Sequence, residues 1–257
     1  MRENCYKCLR AKENCFCRYI RRIDSGVKFI FLMHTKEAKR QRTGTGRLAS
    51  LSLAESEIIT GIDFSENARI KSLLSDERYF PAVLYPGEDA WTAQKAGFSE
   101  EIGGKTLLVF VIDATWFCAK KIIKLNPWLT TLPKLSFSGN YTSIFTFKKE
   151  PSAECVSTIE SCYYLLRELQ DARIVPKAEL SPLMSVFKAM IRFQLEMENA
   201  RVEGRIPSTH AKDFRYTKKR EIPDYLLDSA ESGNTPDGSK SPASAEKSAF
   251  TEKSDQL

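Results

Sequence analysis

Residues 106–112 read TLLVFVI, and Asp113 follows directly. A run that is apolar almost throughout has no solvent face. It belongs to a strand covered on both sides, as in a parallel sheet sandwiched by helices. Parallel strands need crossover connections, usually helical, so the rest of the chain should alternate strand and helix. Residues 27–33 (VKFIFLM) and 81–85 (PAVLY, broken by Pro86 and Gly87) supply two more short strands. Residues 47–59 carry Leu48, Leu51, Ala54 and Ile58 at helical spacing. Ser65 or Asn67 can cap a helix reaching about Leu74, and residues 116–125 read as another. Pro127 and Pro133 bracket a loop, and residues 141–147 alternate as a strand would. Residues 153–169 predict a helix with a stripe of Val156, Ile159, Tyr163 and Leu166, and residues 180–202 a long amphipathic one begun by Ser181 and Pro182. The expected class is α/β, a mostly parallel sheet with helices on both faces and a more helical second half.

With 257 residues, 42% apolar and 28% charged, the chain can bury one sizeable core and is neither fibrous nor disordered throughout. No stretch approaches eighteen uncharged apolar residues, which argues against a spanning helix. The first residues, MRENCYKCLRAKENCFC, put charges and cysteines where a signal peptide needs an apolar run. A reducing, cytoplasmic setting without membrane contact is therefore expected. From Ser229 onward the chain is rich in Ser, Ala, Gly and Pro, the composition of a disordered tail. Its five acids against three lysines give it a net charge of −2, so the first 228 residues carry +8 where the whole chain carries +6. The reading divides the chain into a metal-binding segment (1–22), a body (23–228) and the tail (229–257).

Cys5, Cys8, Cys15 and Cys17 are spaced C-x2-C-x6-C-x-C. Four thiolates can surround Zn²⁺ tetrahedrally, and a segment too short for its own core would take folding energy from the metal. We expect a structural zinc site. An iron–sulfur centre and uncomplexed or disulfide-paired cysteines are the alternatives. The other cysteines, Cys118, Cys155 and Cys162, are scattered through apolar or helical surroundings.

In open parallel sheets ligands bind beyond the carboxyl ends of the strands. Residues 34–46, 85–90 and 113–116 fall there on this reading. Asp113 is either a helix cap or a carboxylate put to use, since burying one idle is costly. Thr115 can also cap, and Trp116 is either core or a surface for a ligand ring. His34 is an acid–base candidate or a loop anchor. TGTG at 43–46 fits neither the dinucleotide fingerprint nor the P-loop. Lys36, Lys39, Arg40, Arg42 and Arg47 crowd the first loop, Lys120, Lys121 and Lys124 share a helix face, Lys148 and Lys149 follow the later strand, and Lys218, Lys219 and Arg220 form a further patch. Each can be a solvated face. Bordering a cleft, they also suit an RNA backbone, with Trp91, Trp116 and Tyr141 available to unstacked bases.

These residues resemble the DTW-domain family of tRNA-uridine aminocarboxypropyltransferases. The D-x-T-W signature is Asp113, Ala114, Thr115 and Trp116. The cysteine cluster is similar to the family's N-terminal zinc motif. His34 and Glu37 resemble its H-P-x-E stretch, TGTGRLA its next block, LYPGEDA its L-x-P block, and NPWLTTLPKL and STIES its later blocks. The likeness runs from Cys5 to about Arg201. Thr35 stands where the family usually has proline, and Phe147 where a basic residue often precedes K-x-x-P.

The resemblance implies a fold related to the knotted SPOUT methyltransferases, with S-adenosylmethionine bent into loops at the sheet's carboxyl edge. It implies transfer of the 3-amino-3-carboxypropyl group to N3 of a tRNA uridine, releasing 5′-methylthioadenosine. On that reading Asp113 is the general base or orients N3–H, and Glu37 and His34 are reserves. Tyr85, Pro86, Gly87, Thr115 and Trp116 shape the cofactor site, with Leu132 and Leu135 around the adenosine. The basic residues Lys39, Arg40, Arg42, Arg47, Lys120, Lys121, Lys124, Lys148 and Lys149 hold the tRNA backbone. No obligate protein partner is evident, and a monomer or homodimer fits equally. An S-adenosylmethionine-dependent RNA methyltransferase, a non-catalytic zinc-bearing RNA-binding module and a structural adaptor are the alternatives.

Overall fold

The computed structural model describes residues 3–40, 44–145, 155–206 and 218–227. The expected tail at 229–257, and with it Arg42, Lys148, Lys149 and the Arg40 side chain, lie outside the described residues.

The sheet is built from β1 (Lys28–His34), β2 (Ser56–Gly61), β3 (Tyr79–Leu84), β4 (Thr106–Asp113) and β5 (Lys134–Leu135), in the order β2-β1-β4-β3-β5. Every neighbouring pair is parallel. The two most apolar runs, β1 and β4, are adjacent, with Met33 opposite Asp113. Their alternate side chains feed two cores, as period-two geometry requires. Phe29, Phe31, Val109 and Val111 join one side, and Ile30, Leu32, Leu108 and Phe110 the other.

Helices cover both faces. α1 (Thr35–Arg40) and α2 (Thr45–Ser52) follow β1, α3 (Ala68–Leu74) follows β2, and α4 (Phe98–Ile102) precedes β4. α5 (Trp116–Leu125) and α6 (Trp128–Thr131) connect β4 to β5, and α7 (Thr158–Asp171) and α8 (Ser181–Val202) complete the chain's helical half. Leu48 and Ala49 of α2, Leu165 and Leu169 of α7, and Phe187 and Ile191 of α8 pack on the first face. Ile70 and Leu73 of α3, Ile122 of α5 and Leu129 of α6 pack on the second. Asn67 caps α3 as expected, its side chain accepting from the Ile70 N–H at 3.1 Å.

Several expectations need correction. The helical stripe from Leu48 to Ile58 is cut in two: α2 stops at Ser52, and Ile58 pairs with Phe31 in β2. The β-branched Ile58, Ile59 and Thr60 gain more as an edge strand beside β1 than as helix. Residues 34–46 are not a plain loop, since α1 and the start of α2 lie within them. The segment between Pro127 and Pro133 holds α6, and β5 follows at once. Residues 141–145 form no strand, because the Ser143 hydroxyl and the Ile144 N–H go to the Glu160 carboxylate at 2.7 and 2.8 Å instead of to a neighbouring strand. The helix expected from 153 starts at Thr158, where Glu160 reaches back to the Ser157 N–H and hydroxyl at 2.8 and 2.6 Å.

The cysteine-bearing segment leans on the body. Phe16 is buried with its ring edge-on to Phe193 of α8, centroids 5.5 Å apart. No helix among the described residues is long and apolar enough to cross a membrane.

Candidate active site and metal centre

All five strands point their carboxyl ends to one edge. The connection from β1 runs to β2 on one side, and that from β4 runs past β3 to β5 on the other. The chain thus parts between β1 and β4, the topological position where open α/β sheets bind ligands. Beside that parting a cleft of about 790 Å³ opens over the carboxyl ends of β4, β3 and β5, with Glu37 and Thr45 from the helices after β1 on its far side, within the usual range for a small-molecule site.

Asp113, the last residue of β4, forms part of its wall and is only 6% exposed. Its Oδ1 accepts the Thr158 hydroxyl at 2.8 Å. A Cβ placed on Gly46 would lie 2.3 Å from the carboxylate. Gly46 sits in the first turn of α2 and Thr158 opens α7, so the charge rests against the amino ends of two helices, where the backbone favours it. Only glycine permits that approach, which gives the second glycine of TGTG a steric role. The N-cap of α5 is Thr115, which leaves the Asp113 carboxylate to these other partners. Behind it, burial pushes the Cys162 thiol up, and the Asp113 charge adds to the effect.

Glu37, Tyr85, Pro86, Thr115, Trp116 and Leu135 also line the cleft. Trp116 is 42% exposed. His34 does not line it. Buried at the end of β1, it accepts the Lys36 N–H on Nδ1 at 3.1 Å, and burial, then the charges of Lys36 and Lys121, push its pKa down. Gly87 lies beside the Asp89–Lys134 ion pair, outside the lining. Leu132 packs with the core on the opposite sheet face. Arg47 is half-buried, with its guanidinium near the Met33 sulfur at 3.8 Å.

The sequence reading leaves two wall segments out of the cleft: residues 136–141 after β5, where it singles out only Tyr141 and for RNA bases, and 155–161 at the head of α7, where STIES enters only as a block of the family resemblance. The first hangs on Glu168 of α7, only 4% exposed. Its carboxylate accepts the N–H groups of Ser138 and Gly139 at 2.9 Å each and the Tyr141 hydroxyl at 2.8 Å. Burial, the largest influence, raises the Glu168 pKa, but these donors together outweigh it and leave the group below the ordinary glutamate range. Tyr141 in turn stacks flat on Tyr164, centroids 3.8 Å apart. The S-x-x-E spacing of Ser157 and Glu160 was a readable capping-box signal for the second segment. No spacing rule could have paired Glu168 with a loop thirty residues upstream.

The four N-terminal cysteines converge. Their sulfurs all lie within 4.8 Å of one another, with Cys5 3.7 Å from Cys17 and Cys8 3.6 Å from Cys15. Those separations are far beyond a disulfide bond of about 2.05 Å. They match the edge of about 3.8 Å that a tetrahedron with Zn–S of about 2.3 Å requires. Backbone N–H groups of Cys8 and Lys7 hold the Cys5 thiol down at about 6, whereas burial, the largest influence on each, pushes the Cys15 and Cys17 thiols up, so four thiolates here call for a cation to offset their charge. The donor set fits a closed, four-coordinate structural ion.

The DTW domain, as a sequence family, matches residues 2–195. Three curated relatives share the name tRNA-uridine aminocarboxypropyltransferase 2. The mouse protein is 24% identical over 229 residues, 86% of this chain and 76% of its own length. That of Macaca fascicularis is 24% identical over 198 residues, covering 76% and 64% respectively. That of Drosophila melanogaster is 25% identical over 223 residues, covering 84% of each. No solved structure matches the chain.

Proposed function

The chain belongs to the DTW-domain family, and from that premise we propose that it is a tRNA-uridine aminocarboxypropyltransferase, modifying N3 of a uridine. The observation that carries this reading is the cleft over the carboxyl ends of β4, β3 and β5 with the D-x-T-W carboxylate fixed in its wall. S-adenosylmethionine, when bound, supplies the 3-amino-3-carboxypropyl group. The apolar wall of Leu84, Tyr85, Pro86 and Leu135 suits an adenosine, and the polar loop of Ser136, Ser138 and Asn140 suits the amino-acid end. The Glu168 clamp holds that loop in shape before any ligand arrives, which lowers the cost of binding.

Asp113 is assigned to the N3 proton. Neutral uridine N3 is a poor nucleophile, so a carboxylate that accepts or orients its hydrogen is required near the reacting atom. An ionised carboxylate has about four lone-pair sites, so holding Thr158 is compatible with a further donor from the substrate. The uridine must leave its stack to reach a carboxylate this deep. Glu37, on the same wall, is the reserve acid–base group. Zinc on Cys5, Cys8, Cys15 and Cys17 is structural, bracing a segment without a core. The kinship with the knotted SPOUT enzymes belongs to this proposal and is supported by the parallel sheet with its cleft at the carboxyl edge.

Incubating the pure protein with unmodified tRNA and S-adenosylmethionine, followed by nucleoside mass spectrometry, tests the reading. Aminocarboxypropyl-uridine is expected, and Asp113→Asn should lower the single-turnover rate by about 10² or more with tRNA still bound. A methylated nucleoside would place the chain among methyltransferases, and binding without any product would leave an RNA-binding module.

A further inference from the structure

The surface of α5 divides into three strips. Cys118 and Ile122 are buried against the sheet. Trp116 and Ala119 line the cleft. Phe117, Lys120, Lys121 and Lys124 occupy the third strip, spaced i, i+3, i+4 and i+7, which puts them on one face. All four are exposed, and Phe117, at 82%, is the most exposed phenylalanine among the described residues. No carboxylate lies on α5, and among the described residues no ion pair engages these lysines. Lys36 of α1 and Lys121 both lie near enough to buried His34 to push its pKa down, so the basic surface of α5 reaches the first turn of α1.

The exposed Phe117 ring beside cations that no ion pair engages among the described residues puts a π-face and positive charge on one strip next to the cleft. Of the other aromatic candidates, Trp116 faces the cleft, and two are already stacked within the protein. Trp91 lies on Phe98 with centroids 5.6 Å apart, and Tyr141 lies on Tyr164.

We propose that this strip of α5 is a docking track for single-stranded RNA, with Phe117 as the platform for an unpaired base next to the target uridine and Lys120, Lys121 and Lys124 on the flanking phosphates. The occupant is chosen by chemistry: phosphodiesters match the cations, and a π-face matches the ring. A duplex offers phosphates but no free base face, so the track selects a loop over a stem. The proposal rests on the transferase reading and adds to it how the substrate's local structure is recognised.

The test compares binding of an oligouridylate and of a blunt RNA duplex of the same length, for wild type and variants, over a salt series. Phe117→Ala should weaken single-strand binding about fivefold, the low end of a base–aromatic stack, and leave duplex binding and the salt slope unchanged. Phe117→Trp should restore wild-type affinity. Replacing the three lysines by alanine should weaken both RNAs and reduce the single-strand slope by about 0.7 for each phosphate no longer neutralised. Because Phe117 is exposed, the thermal midpoint of its variants should not move. Single-strand affinity unchanged in Phe117→Ala, equal losses for both RNAs, or polyglutamate bound as tightly as oligouridylate would each overturn the track. If wild type still makes modified tRNA in such a case, only the track fails. If wild type neither binds RNA nor makes product, the transferase reading fails with it.

Discussion

At Gly46 two rules of protein chemistry oppose each other. Glycine inside a helix is about 1 kcal/mol worse than alanine, so alanine there should stabilise α2. The Asp113 carboxylate occupies the space where that methyl would go. A gap of 2.3 Å is far inside van der Waals contact, and the neighbour is a buried charge that cannot swing into solvent. Gly46→Ala should therefore lower the thermal midpoint and also cut turnover, because Asp113 must shift to make room. A variant that melts higher than wild type and keeps its turnover would show that the close approach has no functional weight. Asp113 itself shows why a residue's neighbours matter more than its type. Its chain neighbours offer a helix to cap, but its hydroxyl partner comes from α7, 45 residues on.

Among the elements, the N-terminal segment is the one that the proposed zinc would hold together. Residues 3–20 have two short 3-10 turns, Lys12–Asn14 and Cys17–Tyr19, and scarcely any buried apolar side chain beyond Cys8 and Phe16. On the proposed reading, an ion held by the four sulfurs, which lie within 4.8 Å of one another, supplies the missing cohesion. Protein purified without added metal should contain close to one zinc per chain by elemental analysis. Chelation, or Cys8→Ser, should free Phe16 from Phe193 and expose residues 3–20 to proteolysis, with the sheet still folded on its own two cores. A metal-free preparation with this segment still protected would refute the assignment. α7 works the other way, supplying order to its surroundings. Glu160 and Glu168, two turns apart on that helix, each hold a stretch of the strandless segment 138–145.

Across the whole molecule, the cleft wall is drawn from the ends of β3, β4 and β5, the starts of α2 and α7, and α1. A ligand bound to so many separate segments stabilises the fold as a unit. S-adenosylmethionine at about 100 times its Kd should add about 2.7 kcal/mol, or about 5–10 °C in Tm for a body of this size. A thermal scan with and without it checks this, and no shift at saturating concentration would remove the donor from the cleft.

The sequence alone determined the central strands, the helix 116–125, the capped α3, the cysteine set and the Asp113 candidate, because each is written in a local period, a cap or a spacing a few residues long. It misjudged residues 53–59, where helical period and β-branched propensity compete and only pairing with β1 decides. It also read residues 141–145 as a strand, because alternation records which side chains are apolar and not where the backbone N–H groups find partners. The tertiary structure alone decided that those partners are buried glutamates, that His34 and Leu132 stay out of the cleft while loop 136–141 enters it, and that Phe117 is left facing water. Such outcomes depend on contacts between residues tens of positions apart, and a chain read one window at a time carries no record of which distant segments will meet.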